Sequence, residues 1–308
     1  MEIALQFVLL ALGFVMLGKG ADWFVEGAAG IAMRFGIPQL VIGLTIVAMG
    51  TSAPEAAVSI AAAVKGNADI TIGNIVGSNI LNILVILGLA ASIVPIAVAR
   101  STVRIEIPFM IGVTALLFYQ GRDGSISLAD GGVLMVAFAA YMMYLYTMAM
   151  KSNVDSDLEE PGLPLGRCFL GAVGGLALII AGSNVTVGAA TSIATYAGLS
   201  ERFIGLTIVA LGTSLPELFT SVAAARRGNA DIAIGNIVGS NIFNILFVVG
   251  LSSLIIDIPF ASAFNFDTYV ALGAAVLLWL CVLRTQRLQR WAGALMLVCY
   301  AAYLGYIL

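Results

Sequence analysis

The chain contains no histidine, and only 10% of its 308 residues are charged. The first absence excludes a histidine zinc site, a Ser-His-Asp triad and a histidine proton relay. Cysteine is scarce as well: Cys168, Cys281 and Cys299 stand in apolar stretches without metal-ligand spacing, and read as packing residues. There is no phosphate-binding loop of the GxxxxGK[ST] type and no visible nucleophile–base pair, so neither a nucleotide, a resident cofactor nor an enzymatic reaction is expected. The first apolar run lacks a basic segment in front of it, which argues against a cleaved signal peptide. What fills the chain is apolar residues: 61% are hydrophobic and the mean hydropathy is +1.06. A soluble domain of this length has no use for so much apolar surface, whereas a polytopic helical membrane protein does.

About ten apolar segments can be drawn, near 3–34, 38–64, 70–95, 105–120, 128–150, 166–197, 203–225, 232–255, 268–283 and 291–307. With the N-terminus outside, the cytoplasmic loops hold Arg34, Arg100, Arg104, Lys151, Arg167, Arg226, Arg227, Arg284, Arg287 and Arg290. The outer loops then hold only Lys65, Arg122 and Arg202. This bias predicts both termini on the outer side of the cell membrane. The expected fold is therefore all-α: ten transmembrane helices arranged as two five-helix repeats. Residues 1–150 form the first, 151–165 a short cytoplasmic linker, and 166–308 the second. Five spans per half is an odd number, so the second half must insert upside down relative to the first.

A duplicated motif supports that division. Residues 43–93 and 205–255 match at 35 of 51 positions without a gap, at a constant offset of 162. Each copy places an acid in an apolar helix, Glu55 in GTSAPE and Glu217 in GTSLPE. Each is followed by a polar run, GNADITIGNIVGSNILNIL or GNADIAIGNIVGSNIFNIL. Carboxylates inside a membrane are costly and ask for a functional explanation. An inverted repeat brings its two copies face to face near the midplane, the usual architecture of alternating-access transporters.

The chemistry of the motif suits a hard cation. Pro54 and Pro216 lack a backbone N–H, so the carbonyls of Gly50 and Gly212 lose their helical partners. Thr51, Ser52, Thr213 and Ser214 bring hydroxyls to the same turns. Two copies can supply the ~6–8 oxygens that Ca²⁺ prefers, and subsets of them suit Na⁺. Ser78 and Asn82 lie four residues apart on one helical face, and Ser240 and Asn244 repeat the pair. Helix–helix hydrogen bonding is the alternative reading for these four. Asn74, Asn79, Asn236 and Asn241 add further polar groups, while Gly73, Gly77, Gly235 and Gly239 read as surfaces for close helix packing. Glu55 and Glu217 together offset one divalent ion, while an empty site would hold two carboxylates at low dielectric. Such a site crosses the membrane readily when loaded and reluctantly when empty, so obligatory exchange is expected.

On these motifs the chain resembles the cation/calcium antiporter superfamily, within it the sodium/calcium exchanger branch, over its whole length. The resemblance implies that Glu55 and Glu217 bind Ca²⁺ directly and that Thr51 and Thr213 join them. It implies that the carbonyls of Ala48 and Ala210 surround flanking Na⁺ sites with Ser52, Ser78, Asn82, Ser214, Ser240 and Asn244. It further implies that the first and sixth helices slide against the other eight. Ca²⁺, Na⁺ and the lipid bilayer are the expected partners, with no nucleic acid and no obligate protein. A proton-coupled cation exchanger using Glu55 and Glu217 as proton carriers is the nearest alternative, and a passive cation channel a more distant one.

Away from the motif, Lys19, Asp22 and Glu26 share a helical face and are expected to form a local ion pair. Asp69 and Asp231 are expected to cap the helices they precede. The acidic string at 155–160 reads as a solvated loop. Tyr141, Tyr144, Tyr146, Trp279 and Trp291 read as interfacial anchors.

Overall fold

The computed structural model describes residues 2–66, 69–152, 164–198 and 210–307. Unbroken apolar sequence makes long helices here: α1 (Glu2–Phe35), then α4 (Thr71–Ile93), α5 (Thr102–Asp123), α6 (Leu128–Ser152) and α7 (Leu165–Tyr196). The second half adds α10 (Ala230–Ile255), α11 (Ala263–Leu283) and α12 (Arg290–Ile307). These eight are long and apolar enough to cross a membrane. Between α1 and α4 a ninth span is broken into α2 (Gln39–Thr51) and α3 (Ala53–Val64), bent by 51°. Its counterpart appears as α8 (Ala210–Thr213) and α9 (Leu215–Arg226). The start of that predicted seventh span, the acidic string and most of the linker lie outside the described residues.

Four very short strands report the symmetry directly. β1 (Ile96–Ala97) pairs antiparallel with β4 (Arg287–Leu288), and β2 (Ser125–Ile126) pairs with β3 (Ile258–Pro259). Adding 162 to Ile96 gives Ile258, and adding it to Ile126 gives Leu288, so each ribbon maps onto the other. The ribbons are separated by the single span α5, which sets them at opposite ends of the bundle. Equivalent elements at opposite ends make the two halves inverted repeats.

The two motif helices α4 and α10 occupy the centre, and α10 is buried along almost its whole length. By contrast α1 and α7 sit at the periphery, and α1 exposes Leu5, Phe7, Val8, Leu12 and Val15, as a lipid-facing helix must. These two run antiparallel against each other along a glycine seam. A Cβ on Gly20 would sit 2.9 Å from the carbonyl oxygen of Gly175, so only glycine permits this approach. At its other side α1 packs along α9, with Phe14 against Phe219 at a centroid distance of 6.1 Å. The pseudo-equivalent helices α7 and α3 make no contact of that extent. The α1/α7 pair thus packs along α9 of the second half, and touches α2 of the first more locally, where Leu176 and Phe24 approach Gly50.

Three expectations need correction. Asp22 and Glu26 pair with Arg227 at the end of α9, at 3.2 and 3.1 Å, and not with Lys19. The physical reason is reach: Lys19 stays exposed, whereas α9 delivers a forked guanidinium against the same face of α1. Asp231 lies in the first turn of α10 and Asn229 occupies the cap position, without a side-chain bond. Of the aromatic anchors, Tyr146 and Trp291 are exposed and Trp279 is half-exposed, its indole donating to the carbonyl of Val103, but Tyr141 is buried against Phe109 and half-buried Tyr144 donates to Glu106. Because the Arg227 pairs are part-exposed, Arg227→Ala should cost less than about 1 kcal/mol of stability. Hydrogen exchange should rise in α1 around Asp22 and Glu26, with the melting temperature nearly unchanged; unaltered exchange there would mean the pairs hold nothing in place.

Candidate functional site

The break between α2 and α3 falls at Ser52, whose φ of −81° and ψ of 5° leave the helical region just before Pro54. Ser214, with φ −90° and ψ 3°, repeats the break before Pro216. Each break sets a glutamate in the first turn of the following helix, where the dipole favours negative charge. Glu55 and Glu217 are both 1% exposed.

The two copies are laced together by reciprocal hydrogen bonds. Ser52 Oγ donates to Glu217 Oε1 at 2.8 Å, and Ser214 Oγ donates to Glu55 Oε1 at 3.2 Å. Each glutamate is thus held by the serine of the opposite half. The second oxygen of each, Oε2, is buried and has no hydrogen-bond partner among the described residues. The amide oxygens of Asn82 and Asn244 are in the same state. Four buried acceptors without a hydrogen bond among the described residues is an arrangement that native proteins avoid unless something else fills the role.

The remaining predicted residues lie on α2, α4, α8 and α10 and at the two breaks. Thr51, Ser52, Ser78, Ser214 and Ser240 are buried, Thr213 is half-buried, and the carbonyl of buried Ala48 accepts from Ser240 Oγ at 3.3 Å. Ala210 opens α8; its own exposure lies outside the described residues. Asn82 and Asn244 each begin a π-helical turn, Asn82–Leu87 and Asn244–Val249, a local widening that recurs at functional sites. Gly235 and Gly239 let α10 press onto α2: a Cβ on Gly239 would meet Leu44 Cα and Ala48 Cβ at 2.8 Å. For Gly73 and Gly77 the equivalent neighbour, residues 201–209, lies outside the described residues.

Asn74 and Asn236, which the sequence offers only as further polar groups, have specific partners, and Ser59, Ser221 and Ser183 were not singled out from it. Asn236 accepts from Thr51 Oγ1 at 2.9 Å while donating to Ser221 Oγ at 2.9 Å and to the carbonyl of Glu217 at 3.4 Å. Asn74 donates likewise to Ser59 Oγ and to the carbonyl of Glu55. Their signal was repetition: Asn74 and Asn236, and Ser59 and Ser221, are identical pairs at the offset of 162. Ser183 of α7 donates to the carbonyl of Gly212 at 2.7 Å, whereas its repeat counterpart is Ala21, which has no hydroxyl. A third carboxylate, Glu106 of α5, is fully buried but stands apart, taking its hydrogen bond from Tyr144. No cluster of three or more Cys, Asp or Glu occurs among the described residues, and the side chains hydrogen-bonded to the Glu55 and Glu217 carboxylates are neutral hydroxyls.

The model of the sodium/calcium exchanger protein family matches residues 5–147 and 168–308. The chain belongs to the sodium/calcium exchanger family. It is similar to the putative antiporter CaxA of Alkalimonas amylolytica, 40% identical with 98% of each chain covered. It is also similar to the sodium/calcium exchanger MaX1 of Methanosarcina acetivorans, 33% identical, again over 98% of both. Among solved structures the sodium-calcium exchanger NCX_Mj superposes with a TM-score of 0.86 at 33% identity, covering 98% of this chain and 99% of that one. As in other exchangers of the family, the chain is a multi-pass integral membrane protein.

Proposed function

We propose that this family member is a secondary-active antiporter that exchanges Ca²⁺ for Na⁺ across the membrane by alternating access at the paired-glutamate site. The observation that carries the reading is the crossed set of bonds. Each glutamate is fastened by the other half's serine through one oxygen and keeps its second oxygen buried and unpartnered among the described residues. Two such carboxylates match the charge of one Ca²⁺ and, with carbonyl, hydroxyl and amide oxygens, its preference for many hard ligands. In this reading Glu55 and Glu217 hold Ca²⁺ with Thr51 and Thr213. Ala48, Ser52, Ser78, Asn82, Ala210, Ser214, Ser240 and Asn244 provide oxygens for Na⁺.

The unequal seating of α1 and α7 supports alternation. In one arrangement the pair closes against α9, and by the internal symmetry the opposite arrangement closes it against α3. Moving the outer pair past a buried, fixed site exposes that site to one side at a time. An empty cage leaves two uncompensated carboxylates in a low dielectric, so the transition is cheap only with cations aboard, and exchange becomes obligatory.

Proteoliposomes loaded with Na⁺ and diluted into Na⁺-free buffer, with pH and K⁺ clamped, should accumulate Ca²⁺ only while the Na⁺ gradient lasts. Uptake that ignores Na⁺ and follows an imposed proton gradient would replace this reading with proton-coupled exchange. Uptake without any counter-ion would point to a channel.

A further inference from the structure

Four asparagines from the two motif copies meet between α4 and α10: Asn79, Asn82, Asn241 and Asn244, each no more than 3% exposed. Their hydrogen bonds form a closed, reciprocal set. Asn79 Nδ2 donates to the backbone carbonyl of Asn241 at 3.2 Å, and Asn241 Nδ2 donates to the backbone carbonyl of Asn79 at 3.2 Å. A carbonyl can only accept, so these two bonds determine which end of each amide is nitrogen and which is oxygen. The oxygens of Asn79 and Asn241 must then point the other way. There they accept from the remaining pair: Asn244 Nδ2 donates to Asn79 Oδ1 at 3.2 Å, and Asn82 Nδ2 donates to Asn241 Oδ1 at 2.9 Å. The orientation of Asn82 and Asn244 is thereby settled too. Their NH₂ groups face the ring, and their oxygens face away from it without a hydrogen-bond partner among the described residues.

The two ends of an asparagine amide have nearly the same shape and opposite electrostatics. Turned one way, the group offers a cation an oxygen; turned the other, it offers two N–H donors that repel it. Nothing in the covalent structure of Asn82 or Asn244 chooses between these states, so the choice has to come from neighbours. We propose that Asn79 and Asn241 are positioning residues: through the backbone carbonyls that anchor them, they turn Asn82 and Asn244 so that carbonyl oxygens face the transported cation. The inference rests on the antiport reading of this site and extends it to residues behind the oxygen cage. It also accounts for the crossed geometry. Asn79 orients the asparagine of the opposite half, and Asn241 does the same in return, so both copies are set together. Partners behind a metal's direct ligands typically tune affinity by about 10–100-fold.

The test is a double-mutant cycle on the full-length protein, read by radiolabelled Ca²⁺ binding and its displacement by Na⁺ in detergent. Asn79→Ala should raise the Na⁺ concentration needed to displace Ca²⁺ about tenfold or more, by analogy with other partners of metal ligands. In an Asn244→Asp background the same substitution should do far less, because a carboxylate presents an oxygen whichever way it turns. The mirrored cycle, Asn241→Ala with Asn82→Asp, should give the same pattern, and it carries the test where Asn79→Ala does not fold. A purely structural ring predicts equal losses in both backgrounds, and that result, with the wild type binding normally, overturns this inference alone. A wild type that binds neither Ca²⁺ nor Na⁺ overturns the antiport reading together with it.

Discussion

Glu55→Gln and Glu217→Gln are each expected to abolish Na⁺-dependent Ca²⁺ exchange while leaving a folded, monodisperse protein. Glutamine keeps an oxygen where Ser214 or Ser52 donates, at 3.2 and 2.8 Å, so the lacing between the halves survives. What it removes is one of two charges balancing a divalent ion. Truncating one partner of a buried charge pair costs about 2–5 kcal/mol, and each 1.4 kcal/mol is about tenfold in affinity. Exchange should therefore fall by roughly 30-fold or more, into the background of most transport assays. Stability should not fall with it, because an isolated buried carboxylate is itself a burden on the fold that the amide relieves. Initial rates of Ca²⁺ uptake, alongside thermal melting of the same preparations, check both halves of the expectation. Substantial exchange in both variants would remove the glutamates from the site.

The second large effect is structural. Gly239→Val forces side-chain atoms into the seam where α10 meets α2, with Leu44 Cα and Ala48 Cβ at 2.8 Å from the first of them. Backbone cannot yield there as a flexible side chain could, and overpacking of this kind costs about 1–3 kcal/mol. The consequence for function is more direct than the loss of stability. The neighbouring residue, Ser240, donates to the carbonyl of Ala48 across the same seam, so a shift of even a few tenths of an ångström disperses the oxygens of the cage. The variant should melt at a lower temperature and show no measurable exchange. Gly112→Ala serves as the comparison, since open space surrounds its position, and it should retain both. Equal behaviour of the two variants would show that the α10–α2 approach is not what holds the site.

The duplicated motif could be read without coordinates because its signal is local and repeated: a proline break, two hydroxyls and an acid, then a polar run, twice. Hydropathy adds the spans, and their odd number in each half adds the inversion, which the exchanged ribbons β1–β4 and β2–β3 bear out. Harder to read were interactions between residues far apart in the chain. Arg227 takes Asp22 and Glu26 away from Lys19 because α9 lies against α1, and no i,i+4 rule sees that neighbour. Tyr141 was misread as an anchor because composition places a residue along a span, not around its circumference. Asn79 and Asn241 looked like generic polar residues; only the folded arrangement shows that each addresses the opposite copy. Ser183 breaks the repeat outright, since Ala21 stands in its place, so symmetry could not have found it.

The most direct test of the central claim is anomalous diffraction from crystals of this protein soaked in Sr²⁺ as a heavier stand-in for Ca²⁺, across a series of Na⁺ concentrations. A single strong peak between Glu55 and Glu217, in contact with Thr51 and Thr213 and fading as Na⁺ rises, is the predicted result. A peak elsewhere, or one at the glutamates that is indifferent to Na⁺, would contradict the account.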